Sequence, residues 1–166
     1  MICDLEGYVT KIREPGFSID LPGNWEKVGS TEPGALVYRD TAGSGTLTVV
    51  LLVVRPAFSI ADRGRMHREY MQHRAQFERG QRPALEQSQP VAQQLDGLIE
   101  GSWSAFDVAS ERRQLHRVLM AGDVLADICY EDAATDEAAF ADHAASMLAT
   151  AVVGAPNPGD GPPTSG

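Results

Sequence analysis

Alternating apolar and polar side chains predict strands in the first third of the chain. Residues 17–21 alternate in this way and end at a Pro-Gly turn, as a half-buried strand does. Residues 35–39 and 46–54 predict two further strands, joined through a short loop that contains Gly and Ser. The second of them is apolar on both faces, so we expect it in the middle of a sheet that is covered on both sides.

Apolar residues at three- and four-residue spacing predict two amphipathic helices. The first runs from residue 60 to about residue 80, and Ser59 is its expected N-cap. The second follows Thr135, its expected N-cap, and carries Asp136 and Glu137 in its first turn, where the helix dipole favours negative charge. Its apolar side consists of Phe140, Ala144, Met147, Leu148 and Ala151.

Three more strands are predicted between the helices, at residues 98–109, 114–120 and 124–131. Ala121-Gly122-Asp123 supplies a tight turn between the last two, so these strands are expected to form an antiparallel meander. Strands in two blocks, each followed by a helix, predict an α+β fold. We expect its antiparallel sheet to be sandwiched between helices, in an α/β/α arrangement.

The chain is expected to form one globular domain at residues 15–153. Residues 1–14 are assigned to an N-terminal extension. From residue 154 to residue 166 the sequence is mostly Pro, Gly and small polar residues, which bury too little apolar surface to order a chain. We therefore expect a disordered tail there.

Composition narrows the class of protein. The 166 residues include 43% hydrophobic and 22% charged residues, so one domain can fold without disulfides or a metal. The net charge of −9 argues against a general nucleic-acid binder. No window of about 18 apolar residues occurs, so we expect no membrane span. The first residues do not form a signal peptide and the two cysteines lack metal or redox spacing, so we expect free thiols and a cytoplasmic location.

The opening strand and the closing helix carry a family resemblance. Residues 17–25 read FSIDLPGNW, a strand that ends in a Leu-Pro-x-x-Trp turn, and residues 140–148 read FADHAASML, a helix with a Phe and a late Ser. With the element order, they resemble the PsbP-like α/β/α sandwich superfamily over about residues 15–153. That superfamily includes the photosystem II extrinsic protein, a yeast Ran-binding nuclear-import factor and many bacterial domains of unknown function.

The resemblance implies a bacterial protein that binds other proteins and is not an enzyme. Known members share no catalytic residues, and bacterial cytoplasmic members look similar to chaperones of type VI secretion effectors or to toxin-neutralising partners. We therefore expect an adaptor, an effector chaperone or an immunity protein. No residue matches a signature of either bacterial group, so no functional residue is carried over.

The sequence offers no motif for catalysis, a cofactor or a metal. His67 and His73 are six residues apart on the first helix and lie on different faces, unlike the histidine pair of a zinc protease. Gly43-Ser44-Gly45 precedes a strand rather than the helix N-terminus that cradles phosphate, so we interpret it as a turn. No nucleophile elbow occurs. A hydrolase site assembled in space around His116 is the hypothesis of lowest rank.

Two strand residues are expected to be buried and partnered. His116 is interpreted as a structural residue with a hydrogen-bond partner. Asp127 lies inside a strand, where a charge needs a partner. A salt bridge to Arg117 or Arg113 on the neighbouring strand is the structural interpretation, and contact with a ligand is the alternative.

Charge is divided unevenly along the chain. Residues 55–82 contain seven Arg and carry a net charge of +4, whereas residues 83–166 carry −10. In one interpretation these Arg side chains pair with the protein's own carboxylates. In the other, the basic helix or the acidic remainder binds an oppositely charged partner, such as a basic toxin or a secreted effector.

The leading hypothesis is therefore binding of another protein. The partner would dock on the sheet face or in the groove between sheet and helix. Arg65, Arg68 and Arg74 are the expected charged contacts. Tyr38 and Tyr130 are the expected aromatic anchors, because buried aromatic residues dominate interface energies.

The two Trp residues and a possible pocket each allow an alternative interpretation. Trp25 and Trp103 are also candidate anchors, although core packing is favoured for them. The alternative function is binding of a small molecule or lipid in a pocket between the sheet and one helix. The expected lining of that pocket is Val49, Leu51, Leu119 and Met147.

Overall fold

A computed structural model of the chain describes residues 9–30, 34–53, 60–133 and 136–154. The expected caps Ser59 and Thr135, and residues 155–166 of the expected tail, lie outside these ranges. In chain order the elements are β1 (Val9–Glu14), β2 (Phe17–Pro22), β3 (Trp25–Val28), β4 (Ala35–Asp40), β5 (Thr46–Val53), α1 (Ile60–Gln81), β6 (Leu85–Gln87), β7 (Val91–Leu95), β8 (Leu98–Asp107), β9 (Arg112–Ala121), β10 (Val124–Ala133), α2 (Glu137–Leu148) and β11 (Val152–Val153).

The strands form two antiparallel sheets. The small sheet has the order β1-β2-β11. The large sheet has the order β3-β4-β5-β10-β9-β8-β6, and β7 pairs with β8 beside β6. β8, β9 and β10 form the predicted meander. The chain therefore has a mixed α+β fold, built mostly of antiparallel strands with the helices α1 and α2.

Successive side chains of the central strand β10 point to opposite faces of the large sheet. Ala126, Ile128 and Tyr130 join a larger apolar cluster with residues of α2 and of the small sheet. Leu125 joins a smaller cluster with residues of α1 such as Met71. α2 and the small sheet therefore pack against one face of the large sheet, and α1 packs against the other.

α1 approaches the large sheet closely at one glycine. A Cβ atom on Gly101 of β8 would lie 2.1 Å from Met71 Sδ and 2.7 Å from His67 Cε1, so the helix can reach this position only over a glycine. His67 is fully buried there, and its Nε2 donates a hydrogen bond to the carbonyl oxygen of Val118 at 2.8 Å. This bond fixes α1 on β9.

The structure differs from the sequence prediction at the N-terminus of the domain and at the N-terminus of α2. Residues 9–14, which were assigned to an N-terminal extension, form β1, and Ile12 lies in the larger apolar cluster. The N-cap of α2 is Asp136, which was expected in the first turn. Its carboxylate accepts a hydrogen bond from the backbone N–H of Ala139 at 2.8 Å and so satisfies one free donor of the helix start.

β5 lies in the middle of the large sheet, between β4 and β10, as its apolar residues predict. The last residues of β5, however, are not covered by other described parts of the protein. Leu47 and Val49 are fully buried, but Leu52 is 39% exposed and Val53 is 83% exposed. Leu47 and Val49 share one face, whereas Thr48 and Val50 on the other face are half-buried, so the expectation of cover on both faces is met only in part.

Candidate functional site

A groove runs along the large sheet between α2 and the strands β6, β8 and β9. Its wider part has a volume of about 580 Å³, and a second part of about 340 Å³ adjoins it. Leu115 and Ala145 line both parts, so the two form one surface feature. We call this feature the α2 groove.

Strand alternation supplies the floor of the α2 groove. On β8, Ser104 and Phe106 are two positions apart, and every second side chain of a strand points to the same face. On β9, Leu115 lies between Arg113 and Arg117, and all three share that face. The floor is therefore apolar at its centre and polar at its ends.

α2 contributes a wall of small side chains. Ala141 and Ala145 line the wider part of the groove, and Ala145 and Ala149 line the narrower part. These alanines are exposed and recur at every fourth position, so they lie on one side of the C-terminal half of α2 and of the residue that follows it. Phe140, next to them, is buried in the core. The small side chains leave the space between helix and sheet open.

Arg117 holds the narrower part of the groove together. Its Nη2 lies 2.7 Å from Glu100 Oε1 on β8, and its Nη1 donates to the carbonyl oxygen of Leu148 at 2.8 Å. The carbonyl groups at the end of a helix have no partner within the helix and carry negative partial charge. Arg117 therefore attaches the C-terminal end of α2 to the sheet.

Charged and aromatic groups border the wider part. The Arg113 guanidinium lies over the Phe106 ring, 4.6 Å from its centroid, in a cation–π contact. Glu86 of β6 and Glu137 of α2 add carboxylates to the rim. An apolar floor with a few polar groups at its border is the composition of sites that bind apolar side chains or small molecules.

A row of polar side chains joins α1 to β10 on the other face of the sheet. Three residues of α1 and Arg82, which directly follows the helix, recur at every fourth position, and two acidic residues of β10 face them. The row, which we call the α1 seam, consists of Tyr70, Arg74, Glu78, Arg82, Asp127 and Glu131. Tyr70 Oη donates to Asp127 Oδ2 at 2.6 Å, and Arg74 Nε lies 3.4 Å from the same oxygen. The seam attaches the middle of α1 to the sheet.

The expected salt bridge of Asp127 to Arg117 or Arg113 is wrong. In the register of β9 and β10, Asp127 lies opposite Val118 and Arg117 lies opposite Ile128. Neighbouring positions of a strand point to opposite faces, so Arg117 and Arg113 point away from Asp127. The ion partner of Asp127 is Arg74 of α1, which no local sequence pattern indicates.

A charged cleft of about 540 Å³ lies at the end of the α1 seam. Arg82 Nη1 lies 3.0 Å from Glu131 Oε1, and Arg112 Nε lies 3.4 Å from the same atom. Asp107 Oδ2 lies 3.8 Å from Arg82 Nη1. The charges of this cleft are therefore balanced within the protein.

The three Arg residues that were expected to contact a partner have different surroundings. Arg65 is exposed and pairs with Asp62 at 3.1 Å. Arg68 is exposed on α1. The side chain of Arg74 is only 17% exposed and belongs to the α1 seam. Of the six Arg residues described between 60 and 82, four pair with carboxylates of the protein itself, which agrees with the first interpretation of the charge pattern.

Tyr38 and Tyr130, the expected aromatic anchors, lie in the larger apolar cluster and are 6% and 1% exposed. Tyr130 Oη donates to Asp132 Oδ2 at 2.7 Å, and burial together with this bond raises the pKa of Tyr130. The structure does not bring these tyrosines together with the Arg residues of α1, which packs on the opposite face. Trp25 and Trp103 are also buried, which confirms core packing for both.

His116 is buried and partnered, as its strand position predicts. Its ring stacks on Trp103 at 4.3 Å, and its Nε2 lies 2.9 Å from Gln114 Oε1. Burial, with two nearby Arg side chains, lowers its pKa to about 3, so the ring is neutral at pH 7. Cys129 Sγ lies 3.7 Å from His116 Nε2, but burial raises the pKa of this thiol. The pair is therefore a neutral thiol beside a neutral imidazole, which is a packing contact.

The α2 groove lies between sheet and helix, but its lining differs from the expected one. Val49 and Leu119 are 0% and 1% exposed and belong to the larger apolar cluster, where Met147 also packs. Large apolar residues close the space between two elements, and small ones leave it open. The sequence signal for the groove is the recurrence of alanine at residues 141, 145 and 149, from which no site was predicted.

The described part of the chain contains neither a metal-ligand cluster nor a membrane-spanning helix. No three His, Cys, Asp or Glu side chains in it lie where they could hold a metal ion. α1 has 22 residues but is not apolar enough to cross a membrane, and α2, with 12 residues, is too short.

The sequence matches no protein-family model and no curated protein. Among solved structures, cyanobacterial PsbP (CyanoP) from Synechocystis sp. PCC 6803 superposes with a TM-score of 0.67 at 16% sequence identity, covering 88% of this chain and 92% of that chain. A crystal structure from Bacteroides thetaiotaomicron VPI-5482 gives a TM-score of 0.49 at 13% identity and covers 92% of this chain and 50% of that one. LpqN, involved in cell envelope biogenesis of Mycobacterium tuberculosis, gives 0.47 at 14% identity, covering 88% and 90%.

The likeness to the cyanobacterial protein extends over most of both chains. At 16% identity it is a likeness of fold and carries no activity with it. It agrees with the resemblance that the opening strand and the closing helix indicate. The chain therefore has a PsbP-like fold.

Proposed function

We propose that this chain is a non-enzymatic bacterial protein-binding module and that a segment of its partner lies in the α2 groove. The observation that supports the proposal is the open groove of about 580 Å³, with Phe106 and Leu115 on its floor and exposed alanines on its wall. An apolar side chain of a partner would fill this space as anchor residues do in protein interfaces. The arrangement of α1 and α2 on opposite faces is, in this proposal, the α/β/α sandwich of PsbP-like proteins.

The proposed partner is basic. Glu86 and Glu137 lie on the rim of the wider part of the groove, and the whole chain carries a net charge of −9. A field of this sign attracts a cationic protein and speeds its association. An adaptor, an effector chaperone and an immunity protein that binds a basic toxin all fit this description. The cytoplasmic location stays a prediction.

A substitution that fills the groove tests the proposal. Ala145→Arg places a long side chain where the two parts of the groove meet, and Ala139→Arg adds the same side chain on another side of α2. The wild type and Ala139→Arg should capture one stoichiometric protein from the native host. Ala145→Arg should bind that protein at least about 10-fold more weakly, as loss of a central anchor does. Unfolding in urea shows whether each variant is folded.

Two results would count against the proposal. One is recovery of the chain without a stoichiometric protein. The other is equal affinity of Ala145→Arg and Ala139→Arg for the captured protein, because the partner would then lie outside the α2 groove.

The second candidate function is binding of a small molecule or lipid. The volume of about 580 Å³ favours it, since ligand pockets commonly hold about 300–1,000 Å³. Native mass spectrometry of the protein purified from its host distinguishes the two functions. A small molecule bound at one per chain, and lost in Ala145→Arg, would support this second function over the first.

A further inference from the structure

The strand β7 has one unpaired edge. It pairs with β8 from Val91↔Ser102 to Leu95↔Leu98, and no described strand pairs with its other edge. All five of its residues are exposed, Val91 to 69% and Leu95 to 45%. A free edge of this kind presents a row of backbone N–H and C=O groups to another strand.

β7 lacks the features that protect the other edges. Natural sheets protect their edges with charged residues, Pro or very short strands. β1 and β3 carry charged residues, and β6 and β11 have three and two residues. β7 has five residues and contains no charge and no Pro. Among the described edge strands, β7 is therefore the one that is suited to pairing.

The sequence of β7 is complementary to itself in an antiparallel pair. When two copies are centred on Gln93, Val91 of each lies opposite Leu95 of the other, and the two Gln93 amides face each other across a two-fold axis. Since Val91 and Leu95 are each two positions from Gln93, both pairs lie on one face of the joined sheet. The contact would cover apolar side chains that are exposed in one chain.

Charge also favours this edge for self-association. Each copy carries a net charge of −9, so two copies of the chain repel each other overall. Residues 87–95 are uncharged, and the nearest following charge is Asp96. In the pair the two Asp96 residues stand six strand positions apart, about 20 Å at the rise of a β-strand. That separation exceeds the screening length of about 8–10 Å in physiological salt.

We propose that two copies of this chain associate through β7 as a symmetric antiparallel pair, so that their large sheets become one continuous sheet. The occupant of this edge is a second copy of the chain. No residue of β7 lines the α2 groove, so this proposal and the proposed function rest on different residues and are tested separately.

Sedimentation velocity of the full chain tests the proposal. From about 10 to about 500 µM protein, the range in which a small interface associates, the wild type should shift from the mass of one chain to that of two. The shift should be larger in about 0.5 M salt, where repulsion between the copies is screened. Val91→Lys/Leu95→Lys should stay monomeric, because each Lys would lie opposite a Lys of the other copy.

The matched control is Val9→Lys/Val108→Lys, which adds the same charge at two exposed Val residues outside β7. It should dimerise as the wild type does. Three results would overturn the proposal: a wild type that is monomeric throughout, a dimer that persists in Val91→Lys/Leu95→Lys, or species larger than a dimer, which a closed two-fold contact does not form.

A disulfide tests the register. In a Cys3→Ser background, Gln93→Cys should form an intermolecular disulfide on mild oxidation, since facing Cβ atoms in an antiparallel pair are about 5 Å apart. Ala109→Cys, exposed in the turn after β8, should crosslink at least about 10-fold less, at the rate of random collision. Equal crosslinking of the two variants would overturn the symmetric pairing.

Discussion

Gly101 sets the distance between α1 and the large sheet. A Cβ atom there would meet Met71 Sδ at 2.1 Å and His67 Cε1 at 2.7 Å. Met71 is 2% exposed and His67 is fully buried and hydrogen-bonded, so neither side chain has space to move away. Any side chain at residue 101 therefore has to push the helix from the sheet.

We expect Gly101→Ala to lower the free energy of unfolding by about 1–3 kcal/mol, the usual cost of overpacking a core. Urea unfolding measures it. Gly80→Ala, in the last turn of α1 where a new Cβ meets nothing within 4 Å, is the control and should raise stability by up to about 1 kcal/mol. Equal stability of Gly101→Ala and the wild type would mean that α1 lies farther from β8.

For single residues, burial could be predicted from the sequence, but partners on distant elements could not. Burial of His116, Trp25 and Trp103 could be predicted, because bulk and strand position favour it locally. The ion partner of Asp127 could not, because it depends on the register of β9 and β10 and on the position of α1. Tyr130 was expected to be an aromatic anchor for a partner, but its hydroxyl donates to Asp132 of the same strand and its ring is buried.

At the scale of elements, the α1 seam is the main polar contact between a helix and the large sheet. Asp127 is 3% exposed and takes a hydrogen bond from Tyr70 and an ion contact from Arg74. A buried charge is stable only with such partners, and removing one member of a buried pair leaves the other charge poorly compensated. Asp127 therefore helps to hold α1 in position, together with the hydrogen bond of His67 to Val118.

We expect Asp127→Asn to lower the free energy of unfolding by about 3 kcal/mol, since it removes the charge that faces Arg74. The control makes the same substitution at an exposed ion pair. Asp123 lies 3.4 Å from Arg63 with its side chain 43% exposed, so Asp123→Asn should cost less than about 1 kcal/mol. If urea unfolding gave similar losses for both variants, the seam would contribute no more than a surface salt bridge.

Helices and strands in which apolar residues recur at regular spacing could be predicted from the sequence. The structure confirms the strands and helices that became β2, β4, β5, α1, β8, β9, β10 and α2. The strands that were missed, β1, β3, β6, β7 and β11, are short or weakly patterned. β11 has two residues, β6 has three and β3 has four, whereas β1 has one buried residue and β7 has none. Such strands form because a neighbouring strand offers a free edge, which is a property of the assembled sheet.

The α2 groove was missed for a related reason. Small residues such as Ala145 do not produce a regular pattern of apolar positions that could be recognised in the sequence.

At the scale of the whole molecule, two buried neutral histidines make stability depend on pH. His67 and His116 both lie between α1 and the large sheet. Burial lowers the pKa of His67, although its bond to Val118 opposes the shift, and burial lowers the pKa of His116 to about 3. In the unfolded chain an imidazole has a pKa near 6.5. Between these values the unfolded state binds more protons than the folded state, so stability falls as the pH falls.

We expect the free energy of unfolding to fall by about 1 kcal/mol per pH unit for His116 alone as the pH drops from about 6.5 to 5. Urea unfolding at a series of pH values measures this slope. His116→Phe keeps a flat ring against Trp103 but cannot take up a proton, so its slope should be smaller than that of the wild type. His73→Gln, which replaces an exposed histidine of α1, should keep the full slope.

Asp132 contributes in the same direction only at lower pH, which is why the comparison ends near pH 5. Burial alone would raise the pKa of Asp132, but hydrogen bonds from Ser44 and Tyr130 lower it overall, so its contribution is lost below the ordinary range of an aspartate. A loss that is the same in His116→Phe and in the wild type between pH 6.5 and 5 would show that His116 takes up its proton without leaving the core. The acid sensitivity of the fold would then come from His67 rather than from the packing of His116 beside Trp103.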